Sequence, residues 1–237
     1  MVDAAAAVLF GLFLALRRNP AWRQLAVWLR STAAAVLLFA CAASGGLPGL
    51  GLQWLTAPLP ALSLLLAGVG VNLFVAYAGG TATFASLHVV LSLIPLAIMP
   101  QSDISLILAA VVIACGIGLA FRGRWDIHLA VTLAASAAYQ YFWYLGMAAT
   151  ATDQDWKMIG AGCAIAIAAA AALVHYRADY SSRGFEPLPF AVHAGNWSLF
   201  GLMLLIYRSG TYLGVIVLTA AGVASFLLAR RGRTLHI

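Results

Sequence analysis

The chain has 237 residues, of which 64% are apolar and 8% are charged. A typical soluble domain has about 25% charged residues and less than half apolar residues, so this composition excludes an ordinary soluble protein. The formal net charge is +6, but the basic residues cluster at the ends of apolar runs rather than on a folded face with interleaved aromatic residues. We therefore expect no nucleic-acid partner.

Apolar segments follow one another along the chain, separated by short polar breaks. A helical span needs about 20 mostly apolar residues. The pattern predicts an all-α, polytopic transmembrane bundle in which residues 1–237 form a single transmembrane domain without an extramembrane domain. The first segment measures roughly 20 Å as a helix and fits a thin span, a tilted half-span or an interfacial helix, which leaves eight or nine spans. The segments are 4–16, 24–44, 57–78, 82–99, 104–121, 127–149, 157–176, 188–207 and 210–229.

Glycine and proline residues mark the breaks between segments, as at Asn19-Pro20, Gly79-Gly80 and Pro100, because helices begin or end at such residues. Pro95 instead lies inside the fourth segment, where its missing N–H should kink the helix. Segments two to five and six to nine could form a parallel duplication, although their loop lengths and motifs do not match.

The basic residues are distributed unequally between alternate breaks, which the positive-inside rule translates into an orientation. One side receives 11 of the 13 basic residues and the other receives only Lys157 and Arg208. The crowded side should be cytoplasmic, so we expect a cytoplasmic C-terminus and a multi-pass protein of a bacterial inner membrane. The basic stretches at 17–23 and 230–233 should attract anionic lipids at that face.

Motifs of soluble enzymes are missing, including GxSxG, HExxH and the P-loop. The seven acidic residues all lie at or beyond the ends of the apolar segments, whereas proton-coupled pumps and membrane hydrolases usually need an ionisable group at depth. Cys41, Cys115 and Cys163 show no metal-ligand spacing and are expected to be small buried hydrophobic residues. We predict no catalytic residues and no metal site.

Neutral polar side chains remain at depth, and most of them lie in the half of the membrane that faces the cytoplasm. Asn72, His88, His193 and Asn196 are each roughly 7–15 Å from the inner end of their segment. His193, Asn196 and Trp197 are spaced i, i+3 and i+4 and share one helical face. Such groups either bond a neighbouring helix or line a pocket for a polar solute.

Gln140 lies in the most aromatic stretch of the chain, residues 139–144. This stretch fits an aromatic belt at the external interface. Because consecutive residues point all round a helix, some of these side chains must face protein, where they could line an entrance for a ligand. The candidate substrate-binding residues are His193, Asn196, Trp197, His88, Asn72 and Gln140.

Three functions fit these observations. The leading hypothesis is a small permease or channel-like protein for a neutral or weakly polar solute, which would not be an enzyme and would need no cofactor. The second is a non-catalytic membrane subunit or assembly factor, with membrane-complex partners or further copies of this chain around it. The third is a membrane enzyme or haem protein in which two of the cytoplasmic-side histidines ligate haem b.

Overall fold

The computed structural model describes residues 2–46, 53–151, 155–177 and 186–207, together with positions 220 and 223. Within these residues the chain is all-α, with one isolated β-bridge between Gly45 and Gln53. The α-helical fold follows from composition, because a helix satisfies its backbone hydrogen bonds internally and exposes only side chains to an apolar solvent. The helices are α1 (Val2–Leu16), α2 (Arg23–Ser44), α3 (Pro58–Gly79), α4 (Ala82–Ile98), α5 (Asp103–Gly123), α6 (Asp126–Thr150), α7 (Trp156–Arg177) and α8 (Pro187–Tyr207).

These helices begin and end within two residues of the predicted segments. The predicted segment 210–229 lies outside the described residues, apart from positions 220 and 223. Local signals fix several helix ends. The side chain of Ser102 accepts a hydrogen bond from the backbone N–H of Ser105 at the start of α5, which satisfies one free donor of the first turn. Gly80 ends α3 in the left-handed conformation, with φ of 67°, which favours glycine.

In the part of the chain that the structure describes, five helical stretches are long and apolar enough to cross a membrane, which is compatible with a multi-pass integral membrane protein. α1 and α4 are shorter, and Pro95 lies inside α4, three residues before its end. α6 has 25 residues but is not among the five, because its tyrosines and Gln140 lower its hydropathy. The five stretches are Pro20–Ser44, Pro58–Gly79, Asp103–Gly123, Trp156–His175 and Pro187–Tyr207.

The chain divides into two compact units, unit 1 (Met1–Met99) and unit 2 (Pro100–Ile237). The boundary falls between the fourth and fifth predicted segments, not between the fifth and sixth as a duplication would require. In unit 1, α2 packs against α1, α3 and α4. Leu38 of α2 is fully buried, and Gly68 of α3 brings the two backbones close, since an added Cβ would meet the side chain of Cys41 at 3.0 Å.

In unit 2, α7 packs against α5 and α8, and α6 packs against α5 and α8. Trp143 of α6 and Tyr207 of α8 are fully buried. Gly160 of α7 leaves the room that the Tyr207 ring occupies, because a Cβ at this position would overlap the ring. Small residues on α7 therefore allow close helix packing, as interfaces in membranes often require.

Candidate functional site

Asn72 and His88 form the centre of a buried hydrogen-bond network in unit 1. The Asn72 amide Nδ2 donates to the backbone carbonyl of His88 and to Ser92 Oγ, both at 2.8 Å. The His88 Nδ1 lies 2.6 Å from Asn72 Oδ1, and the His88 Nε2 lies 3.1 Å from Ser31 Oγ. Since these four side chains lie on α2, α3 and α4, the network connects three helices.

Each polar atom of the network acts as a hydrogen-bond donor or acceptor that its partners determine. With its Nδ2 donating twice, Asn72 presents Oδ1 as an acceptor, so His88 Nδ1 carries the proton. His88 Nε2 then accepts from Ser31 Oγ, and Ser92 Oγ donates to the His88 carbonyl at 2.8 Å. Asn72, His88 and Ser92 are completely buried. Both ring nitrogens of His88 are thus occupied by protein groups.

Gln140 and Asn196 line one small cavity in unit 2, between α6, α7 and α8. The cavity is partly open and has a volume of about 20 Å³, which is enough for one water molecule. Ser136 supplies a third polar side chain, and every described residue of the lining is uncharged. The described lining is Leu133, Ser136, Ala137, Gln140, Ala164, Ile167, Ala168, Asn196, Leu199, Phe200 and Met203.

The polar groups around this cavity are held by neighbouring helices. Asn196 Nδ2 donates to the backbone carbonyl of Ala168 on α7 at 3.0 Å. Gln140 Nε2 donates to Ser136 Oγ at 3.2 Å, and Tyr207 Oη donates to Gln140 Oε1 at 3.4 Å. Asn196 and Gln140 are each 2% exposed, so their orientation is set by packing and not by solvent.

His193 and Trp197 lie beside Asn196 on α8 but do not line the cavity. Trp197 Nε1 donates to His193 Nε2 at 3.0 Å. The His193 ring also packs edge-to-face against the ring of His175 on α7, with centroids 5.0 Å apart. His193 precedes Asn196 by about one helical turn, so this pair of imidazoles lies roughly 5 Å along α8 from the cavity.

The aromatic stretch of α6 divides between the interior and the surface. Tyr139 and Trp143 are buried, whereas Tyr141 and Phe142 are about half exposed. Trp143 Nε1 donates to the carbonyl of Ser102 at 2.8 Å, and its ring packs edge-to-face on Trp156. Half of this stretch therefore fixes α6 to α5 and α7, and half presents an aromatic outer surface.

The six predicted residues thus form two groups. Asn72 and His88 meet in unit 1, while Gln140, Asn196, His193 and Trp197 lie in unit 2. Sequence reasoning did not single out Ser31, Ser92 and Ser136, since serine inside an apolar helix usually bonds its own preceding turn and gives no long-range signal. Among the described residues, no group of three or more His, Cys, Asp or Glu side chains could hold a metal ion.

Compared with known proteins, the chain matches no protein-family model, and neither a curated protein nor a solved structure is significantly similar to it. The function is therefore inferred from the geometry of these two groups.

Proposed function

We propose that this membrane protein is a small permease or channel-like protein for a neutral solute, with the cavity lined by Gln140 and Asn196 on the solute's path. The observation that carries the proposal is their convergence. Two polar residues selected from the sequence alone, 56 positions apart, line the same cavity between three helices. Asn196, Gln140 and Ser136 supply hydrogen-bonding groups there.

The chemistry of the lining determines the kind of solute. An ion in this cavity would lose its hydration without meeting an opposite charge, at a cost of several kcal/mol, so the solute should be neutral. A volume of about 20 Å³ admits a molecule of the size of water. Larger solutes would require α6, α7 and α8 to separate, so water and similarly small hydrogen-bonding molecules are the first candidates.

The pair His193 and His175, with Trp197, takes a place on the same path in this proposal. It lies about one turn from the cavity toward the start of α8, and the hydrogen bond from Trp197 Nε1 to His193 Nε2 would have to open for either group to bond a passing solute. Asn72 and His88 are left out of the path, because their polar atoms already bond neighbouring helices in unit 1.

A transport measurement tests this proposal. Vesicles reconstituted with the full chain should shrink or swell faster than protein-free vesicles in stopped-flow light scattering, with water and urea as the tested solutes. Ala164→Leu adds bulk to the lining of the cavity and should return the rate to that of protein-free vesicles. Gly162→Leu, two residues along α7, is the matched control, since an added Cβ there meets nothing within 4 Å, and it should keep the wild-type rate.

The opposite result would favour the second hypothesis, a non-catalytic subunit or assembly factor. If vesicles with wild-type protein are no more permeable than protein-free vesicles, the permease hypothesis is wrong. One observation already supports this second hypothesis: the polar groups of Asn72 and His88 bond neighbouring helices in unit 1. A subunit should then co-purify with partners, or with further copies of this chain, in mild detergent.

The haem hypothesis has less support from the geometry. An axial ligand needs a free imidazole nitrogen, but His88 uses both nitrogens for Asn72 and Ser31. A Soret band in the purified protein that weakens in His88→Ala would nevertheless support the haem hypothesis.

The orientation belongs to the same proposal. The distribution of basic residues favours a cytoplasmic C-terminus and a cytoplasmic 177–186 loop in a bacterium, with eight or nine segments crossing the inner membrane. Reporter fusions at 101 and 153 should then read external, and a cytoplasmic result at 153 would overturn this topology.

A further inference from the structure

A second and larger cavity lies in unit 1, between α1, α2 and α3. It has a volume of about 340 Å³, within the range of ligand-binding pockets. Ala33 and Ala34 of α2 are buried at its floor, while Phe10 and Val71 are more than 40% exposed at its rim. The full lining is Ala6, Ala7, Phe10, Arg30, Ala33, Ala34, Leu37, Val71 and Val75.

Among the described residues of this lining, Arg30 is the one that carries a charge, and it lies at one end of the cavity. From Arg30 to Leu37 the cavity follows α2 for roughly 10 Å at the helical rise, and the remaining lining is apolar. Arg30 Nε is buried without a hydrogen-bond partner among the described residues. The site therefore combines an apolar cavity with a cationic end.

Arg17 adds a second positive charge at the same end. Its guanidinium carbon lies 5.9 Å from the centre of the Phe13 ring, and the guanidinium carbon of Arg30 lies 5.7 Å from the same centre. The sequence of unit 1 contains one acidic residue, Asp3, which precedes Phe13 on α1 by ten residues, or roughly 15 Å. Two arginines thus converge on one ring with no carboxylate near them in the sequence of this unit.

We infer that this cavity binds one acyl chain of an anionic phospholipid, whose phosphate lies between Arg17 and Arg30. The phosphate supplies the missing opposite charge, and guanidinium groups bind phosphate oxygens through paired hydrogen bonds. An acyl chain gains little free energy by moving from the bilayer into an apolar cavity, since both environments are apolar. The preference between lipids should therefore come from the two arginines.

The proposed orientation agrees with this site without being required by it. The turn that carries Arg17 is placed at the cytoplasmic face, where anionic lipids attract basic residues. The site lies wholly in unit 1, whereas the proposed solute path lies in unit 2, so either proposal can fail without the other.

Native mass spectrometry of the full chain, purified in mild detergent, tests the site. Phosphatidylglycerol and phosphatidylcholine with the same acyl chains are the probes, and the wild type should retain one phosphatidylglycerol molecule through detergent removal while losing phosphatidylcholine. Arg30→Gln should abolish this preference. Arg18→Gln removes the same charge at an exposed position nearby and should leave the preference unchanged.

Two further variants separate binding from folding. Arg30→Lys keeps the charge and should keep a weaker preference, which a collapsed structure would not. Ala34→Leu keeps Arg30 but fills the floor of the cavity, and it should reduce retention of the lipid. Equal losses in Arg18→Gln and Arg30→Gln would show diffuse surface attraction and overturn the site. Thermal stabilisation by inorganic phosphate equal to that by phosphatidylglycerol would overturn the lipid as its occupant.

Discussion

The polar interiors of the two units differ in how their hydrogen bonds are arranged. In unit 1, Asn72 uses its amide nitrogen twice and its amide oxygen once, and its partners on α4 in turn bond each other. In unit 2, Asn196 makes one bond to a helix backbone and otherwise faces a cavity. Asparagine thus fills the polar interior of unit 1 with hydrogen bonds, whereas in unit 2 it leaves room for a small molecule.

Removing Asn72 should therefore give the largest effect. Asn72→Ala deletes three hydrogen bonds, which at about 0.6 kcal/mol each in membrane proteins, with some cost for the buried groups left behind, predicts a loss of about 2–3 kcal/mol in the free energy of unfolding. Reversible unfolding in mixed micelles measures it.

Ser63→Ala is the matched control on the same helix. Ser63 is exposed and bonds only the preceding turn of α3 at Leu59, so its removal should change stability by less than about 0.5 kcal/mol. Equal stability of both variants would show that the Asn72 network does not hold α2, α3 and α4 together.

Gly160→Ala tests the tight packing of α7 against Tyr207, beside the cavity of unit 2. The added methyl group would overlap the ring of Tyr207, which is fully buried and donates a hydrogen bond to Gln140. Overpacking of this kind costs about 1–3 kcal/mol. Thermal unfolding followed by circular dichroism should report the loss.

Gly162→Ala separates this clash from a general effect of replacing glycine in α7. A Cβ at position 162 meets nothing within 4 Å, and alanine is the better helix former by about 1 kcal/mol. This variant should therefore be neutral or slightly more stable. A loss in Gly162→Ala as large as that in Gly160→Ala would contradict the role of the Tyr207 contact.

The helix bounds could be predicted from the sequence because apolar length and Gly or Pro breaks are both local signals. For Asn72 and His88, the sequence predicted only that the two side chains lie at a similar depth in the membrane. Gln140 and Asn196 were assigned to different halves of the membrane, yet they line one cavity. Depth follows from position along a helix, but which side chains meet also depends on helix rotation, which packing of residues such as Gly160 and Tyr207 decides.

Asn196→Ala should change stability much less than Asn72→Ala and so completes the comparison with Asn72. The variant loses one hydrogen bond to the Ala168 carbonyl, worth about 0.6 kcal/mol. The space vacated by the amide adjoins a cavity that already has the polar groups Ser136 and Gln140, so an additional water can replace the lost donor. We expect a free energy of unfolding within about 1 kcal/mol of wild type, together with an altered rate of water or urea passage in vesicles. A loss as large as that of Asn72→Ala, with passage unchanged, would show that Asn196 also serves packing alone, and the subunit hypothesis would then lead.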